Sequence, residues 1–362
     1  MTSAAAPLPV RVIDTGIRGA RANVAFDQAL IEARNAGRIP DTVRFLRFRP
    51  SALVGLHQIL SHEVRLDYCR ANGIEVGRRI TGGGGLYLDQ GQLGWELVLD
   101  RSAFGTTDLA AIAARICEAA AAGLRRLGVA AQFRSRNDIE VEGRKIGGTG
   151  GFFDGDTLFY QGTLLIAFDP QDMVKALNVP AEKLAKRALD SPASRVVTLA
   201  ELMGADLPDR PAIKNHLLGG FAEALGIETE WGAPTPHEED LARELYAREI
   251  GTDEFVAIID PPSSGPDLVT ASRSFPGGTI KVFVRLEGPR SDRVREVLIT
   301  GDFFVTPPRI VYDLEASLRG LAARDAPLAA EAFLSGAKLG LLTIAPADFR
   351  AVIEAALATP RA

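Results

Sequence analysis

Thiols and imidazoles are scarce in this chain of 362 residues, which contains two cysteines and four histidines. Cys69 and Cys117 lie far apart and form no C-x-x-C pair, so a disulfide framework is disfavoured and we expect a reducing, cytoplasmic compartment. The histidines have no spacing typical of a metal site; they are His57, His62, His216 and His237. The sequence therefore favours neither a disulfide-stapled fold nor a histidine metal centre.

Long apolar runs are also missing. A membrane-spanning helix needs about 20 consecutive apolar residues. The most apolar stretch, "LAAIAARICEAAAAGL", is interrupted by Arg115 and Glu118. The N-terminal "MTSAAAPLPVRVIDTG" lacks a basic segment followed by an apolar one, so we expect no signal peptide. We expect no membrane partner.

The charge balance is close to neutral, with 41 basic and 46 acidic residues and a formal net charge of −5. This balance gives no reason to expect a nucleic-acid partner. The composition, 46% apolar and 24% charged, is typical of a soluble globular protein. The length predicts roughly two domains, and we expect a monomer.

Several familiar catalytic signatures are absent. No G-x-x-x-x-G-K-[ST] occurs, which excludes a Walker A phosphate loop, and no G-x-S-x-G elbow is present. The stretch "GGTGGFFDG" gives no clean G-x-G-x-x-G between a strand and a helix, so a Rossmann site is poorly supported.

What is present is an order of helices and strands typical of an α/β chain followed by a smaller α+β region. Apolar spacing predicts strands over residues 42–48 and 93–100, and a long helix over residues 107–127. The stretch "WGAPTPH" breaks the pattern. We therefore predict a large domain over residues 1–235, a linker over residues 236–250 and a small domain over residues 251–362.

A first glycine cluster follows two arginines in "RRITGGGG", which runs from Arg78 to Gly85. Consecutive glycines either form a flexible loop or let another molecule approach the main chain. The adjacent guanidinium groups favour the second interpretation, because exposed N–H groups and arginine together suit a carboxylate or phosphate.

A second cluster, "GRKIGGTGG", contains Lys145. This lysine either points at an anion held by the glycine-rich turn or is a solvated surface residue. Upstream, Asp138 either binds a divalent cation or accepts hydrogen bonds in a turn. Downstream, residues 161–163 (Gln-Gly-Thr) interrupt an apolar strand, so they are either satisfied core groups or line a pocket.

Four motifs occur in a fixed order: "RRITGGGGLYLDQGQL", "SRNDIEVEGRKIGGTGG", "YQGTLLIAF" and "KLAKRALDSPASRVVTL". Their order and spacing resemble the lipoate–protein ligase A family of the biotin/lipoate protein ligase superfamily, over about residues 15–226. The segments "FPGGTIKVFVRLEG" and "ITGDFF" resemble the small accessory domain of these ligases. The resemblance implies a catalytic domain with a mixed sheet, which binds lipoate and ATP, and a C-terminal α+β accessory domain.

The implied reaction has two steps. Lipoate and ATP give lipoyl-AMP and pyrophosphate, with Mg²⁺ assisting, and a lysine of an acceptor protein then takes the lipoyl group. The implied acceptor is an E2 lipoyl domain, a glycine-cleavage H protein or a dedicated lipoyl carrier protein, the last if the chain belongs to a divergent subgroup.

The resemblance also implies residue roles. Lys145 matches the lysine that contacts the carboxylate and the α-phosphate, Arg78 matches the arginine against the acyl group and adenylate, and Asp138 is the implied metal ligand. The other implied substrate or ATP-binding residues are Gly82, Gly83, Gly84, Gly85, Asn137, Gly147, Gly148, Thr149, Gly162, Thr163 and Lys186. Lys186, with Lys183 and Arg195, falls in the family's adenylate-binding segment, although a solvated helix face explains these three equally well.

The chain departs from the family pattern at the edge of the expected pocket. Leu88 and Gln161 replace the usual histidines, Gln92 replaces an asparagine, and "GLHQ" replaces an early Gly-Arg-x-Gln. Two alternatives stay open: an octanoyl or lipoyl transferase of the same fold, and a non-catalytic homologue that binds lipoylated proteins. The transferases need a cysteine, and we expect neither cysteine of this chain to lie near the pocket loops.

Overall fold

The computed structural model describes residues 8–134, 137–178, 195–337, 339–341 and 344–359. Lys183 and Lys186, which the sequence analysis assigns to an adenylate-binding segment, lie outside these residues. Within the described part of the chain, no helix combines the length and the apolar character that a membrane span requires.

A mixed sheet of eight strands forms the centre of the large α/β region. The described strands run in the order β11-β1-β2-β6-β10-β9-β8-β7, with β1 parallel to β2 and β11 and the other pairs antiparallel. Their bounds are Leu8–Arg18 (β1), Thr42–Phe48 (β2), Gln92–Asp100 (β6), Gln132–Arg134 (β7), Asp138–Val141 (β8), Arg144–Asp154 (β9), Thr157–Leu165 (β10) and Ile227–Trp231 (β11). The predicted mixed α/β fold is confirmed.

Helices cover both faces of this sheet. Successive strand residues point to opposite faces, so one strand can place apolar side chains against helices on both sides. In β6, Leu93, Trp95 and Leu97 pack into the core beneath two helices, and Val98 packs on the other face. The helices on the first face are α4 (Leu109–Arg126) and α7 (Arg210–Leu225), and α1 (Ala20–Asn35) covers the second. The Asp108 side chain caps α4 by accepting from the N–H groups of Ala110 and Ala111.

The two glycine clusters lie in different settings. The first connects two strands of a small sheet whose order is β4-β3-β5, with bounds Ser51–Val54 (β3), Glu75–Arg78 (β4) and Leu86–Leu88 (β5). The second cluster is part of β9 in the large sheet. Short helices around them are α2 (Leu60–Glu63), α3 (Leu66–Ala71), α5 (Pro170–Ala176) and α6 (Leu199–Met203).

The C-terminal region is an α+β unit with its own core. Three antiparallel strands, β12 (Leu268–Phe275), β13 (Gly278–Glu287) and β14 (Arg293–Gly301), pack against helices. The remaining elements are α10 (Ile310–Leu318), α11 (Ala326–Gly336), α12 (Pro346–Leu357) and the short pair β15 (Val305–Thr306) and β16 (Gly340–Leu341).

The segment between the two predicted domains is helical. Thr235 and Glu238 form a capping box at the start of α8 (Pro236–Leu245), a π-helical turn follows over Tyr246–Ile250, and α9 spans Asp253–Val256. Leu245 and Ile250 pack with residues of α1 in one core. The predicted linker is therefore packed on the first unit, and the domain boundaries stay a prediction.

Candidate functional site

A cavity of about 430 Å³ lies between the two glycine clusters and the C-terminal unit. Its lining contains most of the residues that the sequence analysis selects. These are Gly82, Gly83, Gly84, Gly85, Leu88, Gln92, Asn137, Lys145, Gly147, Gly148, Thr149, Gln161, Gly162 and Thr163. The fold thus brings both glycine clusters to one site although about 60 residues separate them in the chain.

One part of the cavity floor is a row of residues across the large sheet, formed by Gly148, Thr163, Gly94 and Leu46. Thr163 of β10 pairs with Gly94 of β6, which pairs with Leu46 of β2, and the Thr163 hydroxyl lies 3.5 Å from the carbonyl oxygen of Gly148 in β9. Neighbouring strands are about 4.8 Å apart, so the row spans about 14 Å from β9 to β2. Apolar side chains from Val24, Phe48, Leu53 and Leu86 also line the cavity. We call this row, together with the apolar side chains that border it, the apolar channel.

Lys145 lies at the β9 end of this channel. Its Nζ is 2.6 Å from Asp138 Oδ1, and a Cβ added at Gly148 would lie 2.6 Å from the same Nζ. The Lys145 ammonium therefore rests on the bare α-carbon of Gly148. The Lys145 carbonyl accepts from the N–H of Val197 at 2.9 Å, which holds the main chain at this point.

A polar row runs beside the channel, and the sequence analysis does not identify it. Arg44, Glu96 and Gln161 occupy neighbouring positions on β2, β6 and β10. Arg44 Nη1 lies 2.5 Å from Asp27 Oδ1 and 3.0 Å from Glu96 Oε2, and both carboxyl groups line the cavity. Burial raises the pKa of Asp27 and raises that of Glu96 well above its usual range, while Arg44 opposes both shifts.

The two adjacent arginines lie in different surroundings. Arg78 does not line the cavity, and all three of its guanidinium nitrogens donate to main-chain carbonyls, those of Gly55, Leu56, Gln58, Phe255 and Val256. Arg79 does line the cavity, and its Nη2 donates to Gly82 O and Gly84 O at 2.9 Å. Burial lowers the pKa of Arg79 to about 10, so it stays charged at neutral pH. Arg79 is thus the arginine of the pair that lines the cavity, and the contact of Arg78 with a ligand stays a prediction.

Thr149 and Asn137, which both line the cavity, are hydrogen-bonded to each other. Asn137 Nδ2 donates to Thr149 O at 2.7 Å, and Thr149 N donates to Asn137 O at 2.8 Å. The Thr149 hydroxyl lies 2.8 Å from the Tyr160 hydroxyl and 3.2 Å from Cys117 Sγ in α4. The Thr149 hydroxyl is thus engaged on the α4 side of the sheet.

Cys117 is closer to the site than the sequence predicts. The expectation that neither cysteine approaches the pocket loops is wrong, because Cys117 contacts Thr149 of the second cluster. However, Thr149 and Gly148 are consecutive strand residues, so the thiol and the Lys145 ammonium lie on opposite faces. Cys117 is fully buried, and burial raises its pKa, which disfavours the nucleophilic thiolate.

Three of the replaced family positions, Leu88, Gln92 and Gln161, line the cavity. Leu88 and Gln92 are buried. Gln161 donates from Nε2 to the Thr81 hydroxyl at 2.8 Å, which links the two glycine clusters. His57 of the "GLHQ" stretch is not a lining residue; it stacks on Phe303, and burial lowers its pKa to about 3.

A segment of the C-terminal unit approaches the glycine clusters directly. Gly83 N donates to Phe303 O at 3.1 Å, and both Asp302 and Phe304 line the cavity. These residues are not among the predicted site residues, because they follow the first cluster by more than 200 positions. The feature of the sequence that could have indicated them is the apolar pair Phe303–Phe304, which follows shortly after the end of β14 at Gly301.

The described residues contain no group of three His, Cys, Asp or Glu side chains that could hold a metal ion. The predicted metal ligand, Asp138, supplies one carboxylate, and its Oδ1 is paired with Lys145. Mg²⁺ in nucleotide-binding enzymes commonly uses only one or two carboxylates together with substrate phosphates and water. Asp138, which is not among the cavity-lining residues, could be the single protein ligand of such an ion.

Residues 19–222 match the lipoyl protein ligase A/B catalytic domain family. Because the match covers more than half of the chain, this protein belongs to that family. It is 30% identical over 245 residues to lipoate-protein ligase A subunit 1 of Thermoplasma acidophilum, covering 65% of this chain and 91% of that one. It is 27% identical over 267 residues to octanoyltransferase LipM of Kyrpidia tusciae, covering 67% and 97%.

Solved structures give the same assignment. A T. acidophilum lipoate protein ligase with bound lipoic acid has a TM-score of 0.60 and 26% identity, covering 69% of this chain and all of that chain. A lipoate-protein ligase A bound with ATP has the same TM-score and identity, with 70% and 100% coverage. The bipartite T. acidophilum ligase, studied with its E2 lipoyl domain, has a TM-score of 0.61 and 27% identity, with 72% and 100% coverage. The fold of P. falciparum LipL1 is similar over 91% of this chain and 95% of that one, with a TM-score of 0.69 and 15% identity.

Proposed function

We propose that this protein is an ATP-dependent lipoate–protein ligase that forms an acyl-adenylate and transfers the acyl group to a lysine of an acceptor protein. The observation that carries the proposal is the position of the Lys145 ammonium, on the α-carbon of Gly148 and at the end of the apolar channel. Relatives that bind lipoic acid and ATP support it.

In this proposal the acyl chain lies along the row of Thr163, Gly94 and Leu46, with its carboxylate at Lys145. The carboxylate and the α-phosphate of ATP repel each other, and a positive group between them offsets this repulsion. Lys145 supplies that charge and stabilises the negative charge that builds up as the carboxylate oxygen attacks phosphorus. The Asp138 carboxylate holds the ammonium in place at 2.6 Å.

Arg79 replaces Arg78 as the cationic partner of the first glycine cluster. Because Arg79 binds the carbonyls of Gly82 and Gly84, it orients the loop so that its main chain borders the cavity. Mg²⁺ held by Asp138 and the phosphates would neutralise further phosphate charge when bound. The acceptor in this proposal is a lipoyl domain, as for the bipartite archaeal relative.

Release of pyrophosphate from ATP and lipoate tests the activation step, and mass spectrometry of a lipoyl domain tests transfer. Lys145→Ala should lower pyrophosphate release by about 10²–10³-fold, because it removes a donor to developing charge. Lys175→Ala is the matched control, since Lys175 is half exposed, pairs with Asp172 and does not line the cavity. Equal rates in wild type and Lys145→Ala would remove the catalytic assignment of Lys145, and release no faster than without enzyme in both proteins would favour a non-catalytic lipoyl-binding homologue.

The second candidate is an octanoyl or lipoyl transferase, which one relative's name and the contact between Cys117 and Thr149 favour. A transferase of this kind needs no ATP and forms a thioester. Acyl transfer that continues without ATP and stops in Cys117→Ser would establish this function. The ligase proposal expects the opposite result in both experiments, because the thiol lies across the sheet from Lys145.

A further inference from the structure

The segment from Asp302 to Phe304 fills the gap between the two glycine clusters. A Cβ added at Gly83, whose φ is +92°, would lie 2.7 Å from Phe304 Cζ. A Cβ added at Gly150 would also lie 2.7 Å from Phe304 Cζ, and its three nearest atoms all belong to the same ring. The Phe304 ring therefore rests on bare main chain from both clusters, which requires glycine at both positions.

The Phe304 ring and the Lys145 ammonium lie close together on the same face of β9. Gly148, beneath the ammonium, and Gly150, beneath the ring, are two residues apart in the strand. Residues i and i+2 of a strand share a face and are separated by about 7 Å. A carboxyl group bound to Lys145 would therefore lie beside the Phe304 ring, at the side of the cavity that the C-terminal unit closes.

We propose that Phe304 is a positioning residue that covers the activated carboxyl carbon and excludes water from it, so that the acyl group passes to the acceptor lysine rather than to solvent. This inference rests on the proposed ligase function. It assigns to the C-terminal unit a direct part in the chemistry of the site, through one side chain supplied to the cavity.

The side reaction that Phe304 would prevent is hydrolysis of the acyl-adenylate. Water adds its oxygen to the acyl carbon, the bond from that carbon to the phosphate oxygen breaks, and the products are the free carboxylic acid and AMP, with the acid proton released to solvent. The productive reaction breaks the same bond but forms an amide with the acceptor lysine. Closed active sites suppress such competing hydrolysis by excluding water.

The ratio of pyrophosphate released to acyl groups transferred measures this protection. We expect a ratio near unity in wild type, and a several-fold rise in Phe304→Ala, because ATP is then consumed without transfer. Phe304→Leu keeps an apolar cover and should restore most of the coupling. Phe275→Ala is the control: Phe275 packs on the core of the C-terminal unit and does not line the cavity, so its ratio should match that of wild type.

Gly150→Ala gives an independent test from the other side of the contact. The added methyl should displace the ring and uncouple the reaction as Phe304→Ala does, and it should have no added effect in the Phe304→Ala background. Ratios near unity in Phe304→Ala and Gly150→Ala, with normal pyrophosphate release, would overturn the proposal. Absence of pyrophosphate release in wild type would instead refute the ligase function itself.

Discussion

Arg78 donates through two guanidinium nitrogens to the carbonyl oxygen of Val256, at 3.0 and 2.9 Å. The same side chain also binds the carbonyls of residues 55, 56 and 58, so one buried cation joins the start of the first glycine cluster to α9. Its neighbour Arg79 turns into the cavity. Two adjacent arginines therefore differ in their contacts: Arg78 stabilises the packing of α9, and Arg79 lines the cavity.

Because Arg78 makes these buried hydrogen bonds, Arg78→Ala should lower the free energy of unfolding more than the substitution of a nearby surface residue. Removal of the guanidinium leaves several buried carbonyls without donors, and we expect a loss of about 3 kcal/mol in the free energy of unfolding. Urea denaturation measures this loss. Arg70→Ala is the control, because Arg70 is 80% exposed and should contribute less than about 0.5 kcal/mol. If Arg78→Ala lowered the free energy of unfolding by no more than Arg70→Ala does, the structural link between the glycine cluster and α9 would be contradicted.

Gly148 should be required for the position of the Lys145 ammonium. In Gly148→Ala the new methyl would lie 2.6 Å from Nζ, so the ammonium must leave Asp138 and the channel end. We expect pyrophosphate release to fall by about 100-fold, because small misplacements of a catalytic group cost this much. The control is Gly336→Ala, where no atom lies within 4 Å of the added Cβ. An unchanged rate in folded Gly148→Ala would show that the ammonium position is not needed.

Glu315 should make the stability of the C-terminal unit depend on pH. Burial raises its pKa from 4.5 to about 7, while the N–H of Ile299, 2.6 Å from Oε1, opposes the shift. Between about pH 4.5 and 7 the unfolded chain releases this proton and the folded chain keeps it, so stability falls as pH rises. The loss is complete above about pH 7 and amounts to roughly 3 kcal/mol.

The matched variant is Glu315→Gln, which keeps an oxygen that can accept from Ile299 but does not titrate. The difference in unfolding free energy between wild type and this variant, measured from pH 4 to pH 8, isolates the contribution of Glu315. The variant should gain stability relative to wild type as pH rises. A constant difference across this range would mean that the carboxyl group is not proton-bound in the folded state.

Local patterns predicted much of the fold and part of the site. The apolar spacing of residues 107–127 predicts a helix, and α4 spans Leu109–Arg126. Lys145 with its glycines is a contiguous motif, so the sequence alone selects it as a candidate anion site. The helix over Pro236–Leu245 was not foreseen, because its prolines and charges resemble a linker until the packing on α1 is known.

The sequence by itself determined the two glycine clusters, the embedded lysine and the alternation that builds the sheet, since each depends on residues close together in the chain. Only the tertiary structure decided which arginine lines the cavity, which face of β9 contacts Cys117 of α4, and that Phe304 contacts Gly83 and Gly150. The physical reason is that these relationships depend on side-chain direction and on contacts between distant segments. Backbone twist and packing determine side-chain direction and long-range contacts, and the spacing of residues along the sequence does not.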